Sequence, residues 1–125
     1  MRKKVLIVDD SLYMRTVIKD ALTFGGYEVV GQAATGEAAI DAAIDLQPDL
    51  ITLDNILPDM LGLDVLKVLK EEDIKAKVVM ISAVGQQSVV DEGMKLGAND
   101  YVVKPFTTEQ LLKIIGSSTI YTGLP

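Results

Sequence analysis

The sequence predicts an α/β protein in which five parallel strands form one doubly wound sheet and five helices cover its two faces. Two observations support this fold class. Short apolar runs alternate with segments of helical periodicity, and such an alternation favours parallel strands joined by right-handed crossovers. The first run, residues 5–8, is apolar throughout and rich in β-branched side chains, which is typical of a strand buried on both faces.

The five predicted strands follow the same pattern, each being a short apolar run bounded by polar or turn-forming residues. They comprise residues 5–8, 27–33, 50–53, 78–81 and 101–103. The sequence contains no internal repeat, low-complexity tract or linker between them. The strands therefore belong to one domain.

Capping and stop signals delimit the five predicted helices. Ser11 and Thr35 fit the N-caps of the first two helices, and Thr107 with Gln110 fits a capping box that begins the last one. The helices are expected from Ser11 to Gly25, from Thr35 to Pro48, from Leu63 to about Glu72, from about Gln86 to Leu96 before Gly97, and from Thr107 to about Ile115. Helical periodicity is lost from residue 116, so residues 1–116 are predicted to form the domain and residues 117–125 an irregular tail or the start of a linker.

The composition excludes several kinds of site. Hydrophobic residues make up 49% and charged residues 24% of the 125 residues, the balance of a single globular domain. The absence of cysteine and histidine excludes disulfides, thiolate chemistry and imidazole ligands or bases. The net charge of −6 argues against direct nucleic-acid binding. No apolar run reaches the roughly 18 residues that membrane insertion needs, so we expect a cytoplasmic protein.

Unusual polar residues follow four of the five predicted strands. Asp9 and Asp10 follow the first strand, Asp54 the third, Ser82 the fourth and Lys104 the fifth. In an open parallel sheet the carboxyl ends of the strands meet at one edge, where ligands bind. The sequence therefore predicts a cluster of acids with one lysine and one hydroxyl at that edge.

The chemistry of this cluster points to phosphoryl transfer. Three neighbouring carboxylates raise each other's pKa unless a cation neutralises them. Oxygen ligands without imidazole or thiolate favour a hard ion, and Mg²⁺ commonly shares its coordination sphere with a phosphate. Lys104 and Ser82 suit phosphoryl oxygens, because this reaction depends on positioning and charge neutralisation. Since histidine is absent, we predict a carboxylate nucleophile and an aspartyl phosphate.

Four stretches of the sequence, in this order, resemble the receiver domain of two-component response regulators, in particular the stand-alone chemotaxis (CheY) type. They read VLIVDDS, LITLDNILPDMLG, VVMISA and DYVVKPF. The resemblance covers about residues 4–115. It implies a flavodoxin-like sandwich with the strand order 2-1-3-4-5.

Matched position by position, the resemblance also implies an acceptor and a metal site. It makes Asp54 the phosphoacceptor. Asp9 and Asp10, together with Asp54 and the main-chain carbonyl of Ile56, are the expected ligands of Mg²⁺.

The same matching implies residues that bind the phosphoryl group and respond to it. Ser82 and Lys104, the latter before an expected cis Pro105, are expected to hold phosphoryl oxygens. Tyr101 falls at the switch aromatic, whose side chain couples phosphorylation to the output face.

The implied function is a signalling switch that catalyses only its own phosphorylation and dephosphorylation. A sensor histidine kinase is the expected phosphodonor, and a phosphatase is a further expected partner. The downstream target is expected on the face formed by the fourth helix, the fifth strand and the fifth helix. In chemotaxis-type signalling that target is the flagellar motor switch.

The sequence leaves three other interpretations open. The chain can be the receiver module of a longer regulator whose output domain is absent from this sequence. A Mg²⁺ phosphatase would usually carry a second aspartate where Ile56 stands, and a flavodoxin-type electron carrier would need a phosphate-binding loop in place of Asp9-Asp10-Ser11-Leu12. The receiver interpretation accounts best for the whole cluster.

Two apolar residues depart from a water-orienting pattern beside the expected acceptor. Ile56 and Val84 stand two residues beyond Asp54 and Ser82, respectively, at positions that influence how water reaches the phosphoryl group in the family. Because an apolar side chain cannot orient an attacking water, we expect slow self-dephosphorylation. Of the residues just after the acid pair, Met14 is expected to pack and Arg15 to be solvated.

Overall fold

The computed structural model describes residues 2–83 and 85–119. The strands are β1 (Lys4–Val8), β2 (Glu28–Ala33), β3 (Leu50–Leu53), β4 (Lys77–Ser82) and β5 (Asp100–Val103). The helices are α1 (Leu12–Phe24), α2 (Gly36–Leu46), α3 (Gly62–Glu71), α4 (Gln87–Lys95) and α5 (Thr108–Thr119). Among the described residues, no helix is both long and apolar enough to cross a membrane.

The five strands form one parallel sheet in the order β2-β1-β3-β4-β5, which confirms the predicted fold. The central strand β3 is buried along its whole length, as a strand covered on both faces must be. One hydrophobic core lies between the sheet and α2, α3 and α4. A second core lies between the sheet and α1 and α5.

Local sequence signals explain how several helices begin and end. The hydroxyl of Ser11 accepts a hydrogen bond from the Met14 N–H at 3.1 Å and caps α1. At the start of α5, the Gln110 N–H donates to the Thr107 hydroxyl (3.0 Å) and the Thr107 N–H donates to the Gln110 side chain (2.9 Å). These paired bonds confirm the predicted capping box.

The last helix is longer than the sequence pattern predicts. Helix α5 continues to Thr119, so residues 117–119 are helical where an irregular tail was expected from residue 117. Gly116 and the serines and threonine after it lower the local helix propensity and break the apolar pattern, but neither effect stops a helix that is already formed. The remaining tail, residues 120–125, lies outside the described residues.

Candidate phosphoryl-transfer site

The acid cluster lies at the carboxyl edge of the sheet, where two neighbouring strands end. Val8 and Leu53 are register partners in β1 and β3, so Asp9 and Asp54 leave the sheet side by side. Asp9 is 1% exposed and Asp54 is 6% exposed, whereas Asp10 is exposed. One carboxylate oxygen from each of the three aspartates lies within 4.8 Å of the other two. The structure therefore brings the predicted acids together.

Lys104 enters the cluster from the end of β5. Its Nζ lies 2.7 Å from Asp9 Oδ2 and 3.7 Å from Asp54 Oδ2. Its main-chain N–H donates to the Ser82 carbonyl at 2.9 Å, which continues the ladder between β4 and β5, and the following bond to Pro105 is cis as expected. The lysine thus reaches both buried carboxylates.

The electrostatics of Asp54 reflect its position in this cluster. Burial raises the pKa of the Asp54 carboxyl, and the neighbouring Asp9 raises it further. The ammonium of Lys104 and the N–H groups of Asn55 and Ile56 act in the opposite direction on that pKa. A second cation at the site would therefore favour the ionised carboxylate.

Ser82 and Tyr101 form the next part of the site, on β4 and β5. Ser82 is 1% exposed and Tyr101 is 9% exposed, and their side chains are hydrogen-bonded to each other. Burial raises the pKa of the tyrosine hydroxyl, and nearby Asp54 also raises it, while the bond to Ser82 opposes them. Helix α4 begins after Gln86, which occupies its N-cap position without a side-chain hydrogen bond, so Ser82 is not the N-cap residue of that helix.

The chain after Asp54 turns back against this residue. Residues Ile56 and Leu61 form an isolated antiparallel bridge, and the Gly62 N–H donates to the Asn55 carbonyl at 2.6 Å. A Cβ at Gly62 would collide with the carbonyl oxygen of Asp54, which explains the glycine there. The Ile56 side chain is 52% exposed beside the cluster. Val84, the second apolar residue of interest, lies outside the described residues.

The structure also shows site residues that the sequence analysis missed. Arg15, expected to be solvated, is half-buried and donates through Nη1 to the Asp9 carbonyl at 2.7 Å and through Nε to Gln32 at 3.0 Å. Asp59 accepts hydrogen bonds from the N–H groups of Gly36 and Glu37 at 2.8 and 3.0 Å. No local pattern indicates these contacts. Gln32 and Gly36 are distant in sequence from Arg15 and Asp59, the Arg15 bond to Asp9 is made to a main-chain carbonyl, and Thr35 already supplies a local cap for α2.

The donor set fits a hard divalent cation. It consists of carboxylate oxygens from three aspartates within 4.8 Å of one another, with no nitrogen or sulfur ligand among them. Such a set matches Mg²⁺ rather than a soft transition metal. Asp10 is exposed and keeps one side of the cluster accessible to solvent, as an ion that retains waters requires.

Comparison with known proteins agrees with this geometry. Residues 5–116 match the family described as "Response regulator receiver domain". The chain is 43% identical to "Chemotaxis protein CheY" of Thermotoga maritima over 92% of this chain and 96% of that protein. It is 42% identical to the protein of the same name from Bacillus subtilis, over 94% of this chain and 98% of that protein.

A solved structure extends the likeness to the fold. The "CheX-CheY-BeF3-Mg+2 complex from Borrelia burgdorferi" contains a chain with a TM-score of 0.92 and 32% identity, over 95% of this chain and 90% of that chain. The family match over residues 5–116 contains every residue of the acid cluster and all of the sheet except Lys4, the first residue of β1. The chain therefore belongs to the response regulator receiver domain family and is a CheY-like signalling domain of the two-component type.

Proposed function

We propose that Asp54 accepts a phosphoryl group from a sensor histidine kinase in a Mg²⁺-dependent reaction, and that the resulting aspartyl phosphate switches a protein-binding face. The single observation that carries this proposal is the buried Asp54 carboxylate between Asp9, Asp10 and Lys104. A buried acid with both acidic and cationic neighbours is costly for stability alone, so the arrangement indicates chemistry.

The reaction follows from the atoms available. A carboxylate oxygen of Asp54 forms a new O–P bond as the P–N bond of the donor phosphohistidine breaks, and the imidazole nitrogen takes the electron pair. Asp54 keeps the phosphoryl group until water or another acceptor removes it. Each domain thus accepts one phosphoryl group per signalling event, whereas an enzyme converts substrate repeatedly.

Lys104 and Ser82 are proposed to hold the phosphoryl oxygens. Lys104 is a single flexible charge already 3.7 Å from Asp54, so a short movement away from Asp9 brings it to a phosphoryl oxygen. Ser82 lies on β4, the strand next to β3, and its hydroxyl is hydrogen-bonded to the Tyr101 side chain. Both groups supply charge or hydrogen bonds where negative charge accumulates in transfer.

The three aspartates and the main-chain carbonyl of Ile56 are the residues proposed to hold Mg²⁺. The ion would neutralise the charge of the acids and of the phosphoryl oxygens. The Lys104 ammonium, paired with Asp9 at 2.7 Å, supplies a further positive charge at the same place.

Tyr101 and the surface beyond it are proposed to carry the signal outward. A phosphoryl group that takes the Ser82 hydroxyl alters the partner of the buried Tyr101 side chain, and so biases the position of the ring. The adjoining α4-β5-α5 face exposes Met94 and Val103, which offers apolar surface to a protein partner. By analogy with the chemotaxis relatives, we propose the flagellar motor switch as the target, a phosphatase as a further partner and a cytoplasmic location.

Intact mass spectrometry tests the central step. The protein, incubated with a small acyl phosphate and Mg²⁺, is expected to gain one phosphoryl group. The Asp54→Ala variant should gain none, while Asp64→Ala, which removes an exposed acid of α3, should behave like the parent. Equal labelling of parent and Asp54→Ala would place the acceptor elsewhere. Both a stand-alone protein and the receiver module of a longer regulator would give the expected result.

We further propose that Ile56 and Val84 make the aspartyl phosphate long-lived. Ile56 projects an apolar, half-exposed side chain beside the acceptor and cannot orient an attacking water. The double variant Ile56→Asn/Val84→Glu is expected to shorten the phosphoprotein half-life by at least about tenfold, which is less than the roughly 10²- to 10⁴-fold effect of a fully positioned acid–base group. An unchanged decay rate in Mg²⁺ would contradict this role.

A further inference from the structure

The loop between β3 and α3, residues 54–61, is fastened to the start of α2 by a side chain of its own. The two carboxylate oxygens of Asp59 accept hydrogen bonds from separate main-chain donors, the N–H of Gly36 at 2.8 Å and the N–H of Glu37 at 3.0 Å. The pKa of the Asp59 carboxyl is lowered by these two bonds, which favour its ionised form. The loop after the acceptor is therefore tied to a helix that lies elsewhere in the sequence.

A packing contact reinforces this attachment at the same place. Met60 lies directly over Gly36, and a Cβ added at Gly36 would collide with the Met60 side chain. Gly36 is buried and does not have a positive φ, so the missing side chain serves close approach rather than an unusual backbone. Asp59 and Met60 thus both contact the first residue of α2.

The opposite end of the loop is fixed independently. The Asn55 carbonyl accepts from the Gly62 N–H at 2.6 Å, and Asn55 Oδ1 accepts from the Leu63 N–H at 3.2 Å. Ile56 lies between this anchor and the attachment at Asp59. The position of its main-chain carbonyl accordingly depends on both.

We propose that Asp59 is a positioning residue for metal binding, because it fastens the loop that carries the Ile56 carbonyl to the first turn of α2. This inference rests on the proposed function, in which that carbonyl is a ligand of Mg²⁺. Groups that orient ligands from outside the coordination sphere commonly change metal affinity by 10- to 100-fold. Since Asp59 acts through a loop and is itself exposed, we expect a smaller effect of about fivefold.

The structure offers variants that separate the loop from the helix. Thr35→Ala removes the local cap of α2, the 3.1 Å bond from the Ala38 N–H, and leaves the loop contacts in place. Asp59→Ala removes both hydrogen bonds between the loop and α2. Asp59→Asn removes the charge but keeps an acceptor oxygen, and Gly36→Ala displaces Met60 while keeping Asp59.

The test is the Mg²⁺ dissociation constant of the unphosphorylated full chain, measured by calorimetry with MgCl₂. Asp59→Ala and Gly36→Ala are expected to bind about fivefold more weakly than the parent, Asp59→Asn to lie closer to the parent, and Thr35→Ala to bind like the parent despite reduced stability. Hydrogen exchange at the Gly36 and Glu37 amides should rise in Asp59→Ala and report the released loop directly.

The contrary outcomes are distinct. A parent-like constant for Asp59→Ala, or an equal loss in Thr35→Ala, would make Asp59 only a helix cap. If Asp59→Asn and Asp59→Ala weaken Mg²⁺ binding equally, Asp59 acts through its negative charge and not by positioning the loop. A parent that binds no Mg²⁺ would overturn the proposed function itself, together with this inference.

Discussion

The helices on the two faces of the sheet differ in the origin of their N-terminal caps. On one face, α1 and α5 are capped by residues adjacent in sequence, Ser11 for α1 and the Thr107–Gln110 pair for α5. On the other face, α2 has a local cap in Thr35, but α2 and α3 also receive hydrogen-bond acceptors from the loop after Asp54, namely Asp59 and Asn55. Every helix leaves its first N–H groups without helical partners, but only the second solution links those groups to the functional site.

This difference shows how the site-bearing loop is stabilised. A local cap stabilises its own helix and little else. A cap that comes from the loop between β3 and α3 stabilises the loop and the helix together, so a change in either is transmitted to the other. The loop that follows Asp54 is thereby more constrained than its exposed residues would indicate.

The largest expected effect comes from adding a side chain where the end of this loop packs against Asp54. Gly62→Ala places a methyl group against the Asp54 carbonyl oxygen and should lower the free energy of unfolding by about 3 kcal/mol, the upper part of the range for an overpacked site. Urea denaturation measures the loss. Gly116→Ala in α5 is the matched control, because a Cβ there meets no described atom within 4 Å, and it should be neutral or stabilising.

A smaller effect is expected from removing a single cap on each face. Asn55 is 4% exposed, so Asn55→Ala should cost about 2 kcal/mol of unfolding free energy by losing a buried hydrogen bond to Leu63. Thr107→Ala removes an exposed local cap and should cost about 1 kcal/mol. The free energies of unfolding of both variants, measured by heat or urea, compare the caps on the two faces of the sheet. Equal losses would show that the remote cap has no greater weight than the local one.

The smallest expected effect is a pH dependence that belongs to the remote cap of α2. The pKa of Asp59 lies below its ordinary value of 3.8 in the folded protein, because Gly36 and Glu37 donate to the ionised carboxylate. The Asp59 carboxylate therefore binds a proton more readily in the unfolded chain than in the folded protein. Its contribution to the free energy of unfolding is fully present above about pH 3.8 and is lost as the pH falls through the lower pKa of the folded state. The stability difference between the parent and Asp59→Ala should narrow from about pH 6 to about pH 3.

Unfolding measured at several pH values checks this prediction. Thr35→Ala provides the reference, since a hydroxyl cap does not titrate and its stability difference from the parent should stay constant over the same range. A constant difference for Asp59→Ala as well would mean that its bonds to α2 do not depend on the charge.

Much of the fold and of the site could be predicted because the responsible signals are local. Apolar runs such as residues 50–53 identify the buried strands, and the parallel arrangement then brings their polar ends, Asp9, Asp54 and Lys104, to one edge. The extent of α5 was not predicted, because low helix propensity after Gly116 weakens a helix without ending it. The contacts of Arg15 and Asp59 were missed because their partners are distant in sequence.

The sequence by itself determined the alternation of strands and helices, the local caps of α1 and α5 and the set of chemical groups at the carboxyl edge, because each depends on residue type and short-range spacing. The tertiary structure alone decided which carboxylate pairs with Lys104, that the Ser82 side chain is hydrogen-bonded to Tyr101, and that Asp59 accepts hydrogen bonds from the first residues of α2. These features depend on distances between segments that meet only after the sheet is assembled. Hydrogen bonds and ion pairs act over a few ångströms, so their partners become definite only in the folded chain.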